Sequence, residues 1–151
     1  MAVNEVMIMT INGSCLCQAV KYQLSNEKLH QIINCHCPNC RKTHGAAFGT
    51  YVPVREGDFR WTHGEELVAR FESSPNTYRC FCSVCGSPLA AFDGKNIRCI
   101  TLGTADGDPG LRPESHIYVS KKAPWYEITD ALPQFELRSP DTKPQVSPLG
   151  E

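Results

Sequence analysis

The sequence predicts a mainly β domain, and three observations carry the prediction. Apolar and polar residues alternate with period two in several segments, as on half-buried strands. Turn-forming residues punctuate those segments at short intervals. No window sustains an apolar stripe of helical period through three turns, so only short helical turns are expected.

Taken along the chain, Asn12-Gly13 reads as a turn. Val20, Tyr22 and Leu24 then alternate with polar neighbours and predict a strand with one buried face. Residues 31–35 and 46–52 are apolar or β-rich, and one short helical turn is expected between them, after Cys40. Glu56-Gly57-Asp58 and His63-Gly64 read as turns, followed by alternation at Leu67, Ala69 and Phe71. Ser74-Pro75-Asn76 separates that strand from the next, at 78–82. Segments 89–92 and 97–102 flank Asp93-Gly94, and the run from Asp106 to Gly110 is a loop before a strand at 116–119. From Arg138 onward the chain is polar, with Pro140, Pro144 and Pro148 spaced along it. The expected organisation is an extension over 1–10, one domain over 11–135 and a flexible tail over 136–151.

A chain of 151 residues is long enough for one domain to hold a core without covalent staples. Lys and Arg number 15 against 16 Asp and Glu, a net charge of −1. That balance argues against nucleic-acid binding through phosphate neutralisation, which needs a basic excess. No apolar run has the length of a membrane span. The first ten residues lack a basic segment and carry Glu5, so no secretory leader is expected and a cytoplasmic location is.

Nine cysteines in such a domain demand an explanation. An odd number fits a closed disulfide framework poorly, and in a reducing compartment clustered cysteines are more often metal ligands or catalytic thiols. Eight fall in three clusters: Cys15-Leu-Cys17, Cys35-His-Cys37-Pro-Asn-Cys40, and Cys80-Phe-Cys82-Ser-Val-Cys85-Gly86. Cys99 stands alone in an apolar strand pattern. Residues i and i+2 of a strand share a face, so a C-x-C pair can aim two sulfurs at one ion. Gly86 permits a positive φ after Cys85, letting the chain fold back with N–H groups toward the sulfurs. Pro38 pre-sets a turn that returns Cys40 toward Cys37. A structural zinc site takes four protein ligands and a catalytic one takes three. Two partitions follow: two closed four-cysteine sites, or one closed site (Cys15, Cys17, Cys82, Cys85) and one open site (Cys35, Cys37, Cys40). Spacing does not separate them, because Cys80 is available as a fourth ligand for the second ion.

The order of these clusters resembles the centromere protein V / glutathione-dependent formaldehyde-activating enzyme family. The resemblance is carried by Gly13-Ser-Cys-Leu-Cys17, Cys35-His-Cys-Pro-Asn-Cys-Arg41 and Phe81-Cys-Ser-Val-Cys-Gly-Ser87. It is supported by His116-Ile-Tyr-Val, Pro124-Trp125 and Leu132-Pro-Gln-Phe135. It implies an Mss4-like zinc-binding β fold with two zinc ions per chain. It implies a structural zinc on Cys15, Cys17, Cys82 and Cys85, and a second zinc on Cys35, Cys37 and Cys40, with Cys80 outside the ligand set. It also implies a carbon–sulfur lyase-type activity that joins glutathione, as co-substrate, to formaldehyde.

On that basis the expected partner is a small-molecule thiol, with no nucleic acid and no membrane. Three thiolates on a divalent ion leave one negative charge, so an anionic thiol needs positive help. Arg41, Lys42 and His44 follow the last ligand and are the candidates, with His44 also the best-placed general base. The competing reading is a non-catalytic zinc module for a protein partner. Elsewhere the expectations are structural: His36 pointing away from the ion into a hydrogen bond, His116 a satisfied strand histidine, Cys99 a buried small hydrophobe, and Trp61 and Trp125 in the core.

Overall fold

The computed structural model describes residues 10–25 and 31–139. Nearly all of the expected N-terminal extension, and the tail from 140 on, lie outside the described residues. In chain order the elements are β1 (Thr10–Ser14), β2 (Lys21–Ser25), β3 (Ile33–Cys35), α1 (Pro38–His44), β4 (Gly49–Pro53), β5 (Phe59–His63), β6 (Val68–Ser74), β7 (Thr77–Cys82), β8 (Pro88–Asp93), β9 (Asn96–Thr101) and β10 (Ser115–Ile117), with short 3₁₀ turns between some of them. The protein is mainly β, as the alternation predicts.

Two sheets form. One is three-stranded, in the order β1-β2-β5, and the other is seven-stranded, in the order β10-β3-β4-β9-β8-β7-β6. All pairings are antiparallel except β10 with β3, which run parallel. Side-chain parity on the larger sheet decides where most residues go, apart from Leu89, the extra residue where β8 shifts register against β7. Val52, Cys80, Cys82, Leu89, Ala90 and Ile100 pack on one side with Ile11, Tyr22 and Leu24 of the smaller sheet. Tyr51, Ala91 and Cys99 face the other way, into a second cluster with Ile33, Cys35, Cys37, Cys40, Ile117 and Tyr118. The seven-stranded sheet therefore has a core on each face.

Several elements depart from the sequence expectation. Asn12-Gly13 is not a turn but lies inside β1, paired with Gln23 and Tyr22. The buried Tyr22 ring occupies the space over Gly13 where a side chain would stand, and its hydroxyl meets Thr104 Oγ1 at 2.7 Å. β5 lies between two segments read only as turns. Its Phe59 and Trp61 stack edge-on at 4.9 Å and pack over Tyr22, so tertiary burial rather than a long alternation makes the strand. The helical turn expected after Cys40 begins earlier, at Pro38. Proline suits a first helical position, and the Cys37 sulfur caps the end by accepting the Cys40 N–H at 3.4 Å. Strand β10 stops at Ile117 because Tyr118 turns left-handed at φ 57°. Trp61 is partly buried against the core, but Trp125 is 69% exposed: its ring meets Tyr126 edge-on outside both cores. Past residue 135 the chain is still held, since the Leu137 and Glu136 carbonyls accept N–H groups of Tyr118 and Ser120.

Candidate metal centres and the adjoining cavity

The first cysteine group is built by two tight loops. After β1 the chain turns through Cys15-Leu-Cys17, with the Val20 N–H on Cys15 Sγ at 3.3 Å. After β7 it turns through Cys82-Ser-Val-Cys85, with the Val84 N–H on Cys82 Sγ at 3.4 Å. Gly86 takes the expected positive φ, 81°, and its N–H returns to the Cys82 carbonyl. The sulfurs of Cys15, Cys17, Cys82 and Cys85 all lie within 4.8 Å of one another. The Cys15–Cys17 and Cys17–Cys82 separations are 3.6 and 3.8 Å. Four thiolates at ~2.3 Å from a tetrahedral ion stand about 3.8 Å apart, so this donor set fits zinc. The Ser87 hydroxyl, first among several hydrogen bonds, pulls the Cys85 thiol down to about 5, which readies it as an anionic donor.

The second group is Cys35 at the end of β3, Cys37 capping α1 and Cys40 on its first turn, with all three sulfurs within 4.8 Å of one another. All three are buried. Hydrogen bonds from Cys35 and then Cys40, with help from the Cys40 backbone N–H and Arg79, hold the Cys37 thiol down at about 3. The group can therefore present a thiolate at neutral pH, the form a metal binds. No fourth Cys, His, Asp or Glu among the described residues joins these three. Cys80 shares the face of Cys82 and packs in the core on the opposite side of the sheet, where burial pushes its thiol up to about 11. Cys99 faces the second group's core but stays outside the trio, and burial raises it to about 12. All nine cysteines are free thiols.

His36, between two of the trio, turns to His116. Its Nε2 lies 2.8 Å from His116 Nδ1, and His116 Nε2 lies 2.9 Å from Asp130. Both rings are buried, so the expectation of structural histidines agrees with the geometry. This chain ties β3 to β10 and to the segment beyond it.

Two residues that sequence reasoning missed stand beside the trio. Arg79 of β7 is 7% exposed and donates through Nη2 to Cys40 Sγ at 3.8 Å and through Nη1 to the Tyr51 hydroxyl at 3.3 Å. Its Nε is buried without a hydrogen-bond partner. Tyr51 of β4 also meets His44 Nε2 at 2.9 Å. Burial, and then the Arg79 charge, lower His44 to about 4, so its ring is neutral near pH 7. His44, Tyr51 and Arg79 together line one end of a cavity of about 270 Å³, whose other walls include Phe71, Phe81, Pro88, Ala90 and Ala91. Arg41 and Lys42 do not line this cavity; the cation the structure places there is Arg79. Its phase, one residue from Cys80 and Cys82, sets Arg79 on the opposite face of the strand, but no local pattern marks it as functional.

Comparison with known proteins places the chain in a family. Residues 10–121 match the family model described as glutathione-dependent formaldehyde-activating enzyme. A Halomonas elongata protein named "Putative glutathione-dependent formaldehyde-activating enzyme" is 30% identical over 129 residues, covering 80% of this chain and 82% of that protein. A crystal structure of a Rhodobacter sphaeroides protein superposes with a TM-score of 0.52 at 20% identity, covering 66% of this chain and 92% of that one, and supports the fold.

Proposed function

The chain belongs to the glutathione-dependent formaldehyde-activating enzyme family, and from that premise we propose that it is a zinc enzyme of carbon–sulfur chemistry joining a glutathione-like thiol to a small aldehyde. The observation that carries the reading is the contrast between the two cysteine groups. One offers four donors, a complete tetrahedron; the other offers three and adjoins a cavity walled by Arg79, Tyr51 and His44.

In this reading Cys15, Cys17, Cys82 and Cys85 hold a zinc that fixes the loops after β1 and β7. Cys35, Cys37 and Cys40 hold the second. Zinc there would lower the pKa of a thiol placed beside it or polarise a carbonyl oxygen as a Lewis acid. The reaction balances without redox change. Sulfur adds to the aldehyde carbon, the carbonyl π pair moves to oxygen, and the proton leaving sulfur ends on that oxygen.

The chain's own residues set the conditions. The Cys35-x-Cys37 pair is held by the His36–His116–Asp130 hydrogen bonds behind it and by the α1 cap in front. Arg79 sets a fixed positive charge against Cys40, which counters the excess negative charge of three cysteine sulfurs. Arg41 and Lys42, on α1 after the last ligand, offer further positive charge to the carboxylates of an anionic thiol.

Metal content tests the partition. The wild-type protein should bind two zinc ions. Cys40→Ser should lose one, together with turnover of glutathione and formaldehyde, while Cys80→Ser keeps both. A second zinc that depends on Cys80, with no exchangeable ligand, would refute the enzyme reading.

A further inference from the structure

Among the described residues Arg79 is a buried guanidinium with no carboxylate partner. There it bonds a sulfur and a phenol, and its Nε is left without a partner. Burying a charge in this way is unfavourable unless something completes its hydrogen bonding, so the arrangement calls for an acceptor. Beside it, the Tyr51 oxygen has two neighbours that can donate to it. Arg79 donates from one side, and His44 does so from the other when its proton sits on Nε2. The Tyr51 O–H itself lies within hydrogen-bonding reach of the Cys40 sulfur, and an oxygen arriving beside that sulfur can take the same proton. Both residues line the cavity, and Arg79 also touches Cys40, so Arg79 links the cavity to the three-cysteine group.

Building on the function proposed above, we infer that Arg79 and Tyr51 form the oxygen-binding pair for the aldehyde. They take the oxygen bonded to the carbon that the thiol attacks. The choice between a substrate carboxylate and this oxygen is made by distance. Arg79 Nη2 is 3.8 Å from Cys40 Sγ. A ligand atom reaching Arg79 from a sulfur lodged at the cysteine group must lie within a bond or two of that sulfur. In an S–C–O unit the oxygen is two bonds away, whereas the carboxylates of a tripeptide thiol are several bonds further along the chain. Of the remaining walls, Ala90, Ala91, Pro88 and Phe81 are small or apolar, with Thr43 and Thr101 the polar exceptions, and they suit an aldehyde with little polar substitution. As the S–C bond forms, negative charge gathers on this oxygen, and a charged donor beside a neutral one is the arrangement that stabilises it.

The test uses zinc-loaded protein, calorimetry and two ligands of equal size. S-hydroxymethylglutathione, formed from glutathione and formaldehyde, carries the oxygen; S-ethylglutathione carries a methyl in its place. The wild-type protein should prefer the first by on the order of tenfold, the worth of one charge-assisted hydrogen bond. Arg79→Met should bring the ratio near one and Tyr51→Phe should lower it by part of that factor, both without changing S-ethylglutathione affinity, and Arg79→Lys should restore part of what Arg79→Met loses. Zinc content measured on each variant separates loss of the ligand contact from loss of the metal, and Tyr51→Phe carries the test if Arg79→Met does not fold. A preference that survives in both variants, or an equal loss for both ligands, overturns the inference while leaving the enzyme reading standing. Failure of either glutathione ligand to bind the wild-type protein refutes that reading, and the inference with it.

Discussion

Gly49 stands against the His44–Tyr51 hydrogen bond, and a methyl group added there meets that pair first. A Cβ on Gly49 would lie 2.6 Å from His44 Cδ2, 2.7 Å from His44 Nε2 and 2.8 Å from the Tyr51 hydroxyl. Ordinary contact begins at 3.4 Å, so the imidazole must withdraw by about 0.8 Å. The His44–Tyr51 separation of 2.9 Å leaves little room for that before the bond is lost. Overpacking of this kind costs about 1–3 kcal/mol and the lost hydrogen bond about 1 kcal/mol more. Gly49→Ala should therefore destabilise the zinc-loaded protein by about 2–4 kcal/mol in urea unfolding. The His44 ring resonances should move in the same variant. In the His44→Ala background the added methyl should cost less, because only the Tyr51 hydroxyl, 2.8 Å away, still stands against it. If Gly49→Ala unfolds within about 0.5 kcal/mol of the wild type with His44 unmoved, the pair is not held where the structure places it, and the account of Tyr51 loses its support.

Two further perturbations bear on the supporting shell. His44 should titrate at about 4 in the folded protein, followed by carbon-13 shifts of labelled histidine, against an ordinary value of 6.5. Its folded value is depressed, so the unfolded chain binds the proton first. This residue's contribution to stability is fully present above pH 6.5 and declines as the pH falls toward 4. A His44 midpoint near 6.5 would show that burial does not act on the ring as described. His116→Phe keeps a ring in β10 but removes the bond to His36 Nε2, whose Nδ1 already lacks a partner. It should cost about 1–3 kcal/mol, the penalty for a buried polar group left unpaired. An unchanged unfolding midpoint would mean the histidine pair does not brace β3.

The grouping of the cysteines was legible because cysteine spacing is a local property. C-x-C, C-x-x-C and the glycine after it constrain a few consecutive dihedrals, and the loops at Cys15–Cys17 and Cys82–Gly86 have the geometry that such spacing requires. The status of Cys80 was decidable in principle by parity. A residue two before Cys82 on a strand shares its face, and so lies across the sheet from Cys35, Cys37 and Cys40. Tyr51 and Arg79 were not legible. Each is an ordinary strand residue until β4 and β7 fold onto the same face of the sheet, a long-range fact that no local pattern encodes. β5 escaped for a related reason: its aromatic residues earn their strand by packing on Tyr22. Trp125 shows the converse, a large apolar residue that the fold leaves at the surface.

The two-faced sheet has a consequence for how the protein assembles. β7 delivers Arg79 to one centre and Cys82 to the other, only three positions apart, with a register shift against β8 between Cys80 and Phe81. Slipping the strand by one residue would exchange the faces and send a thiol where the guanidinium belongs. On the zinc reading proposed above, capture of the first ion by Cys82 and Cys85 would act as a register lock, seating Arg79 before the second centre is complete. Loading order, and not affinity alone, would then govern the yield of competent protein when the metal is scarce during folding.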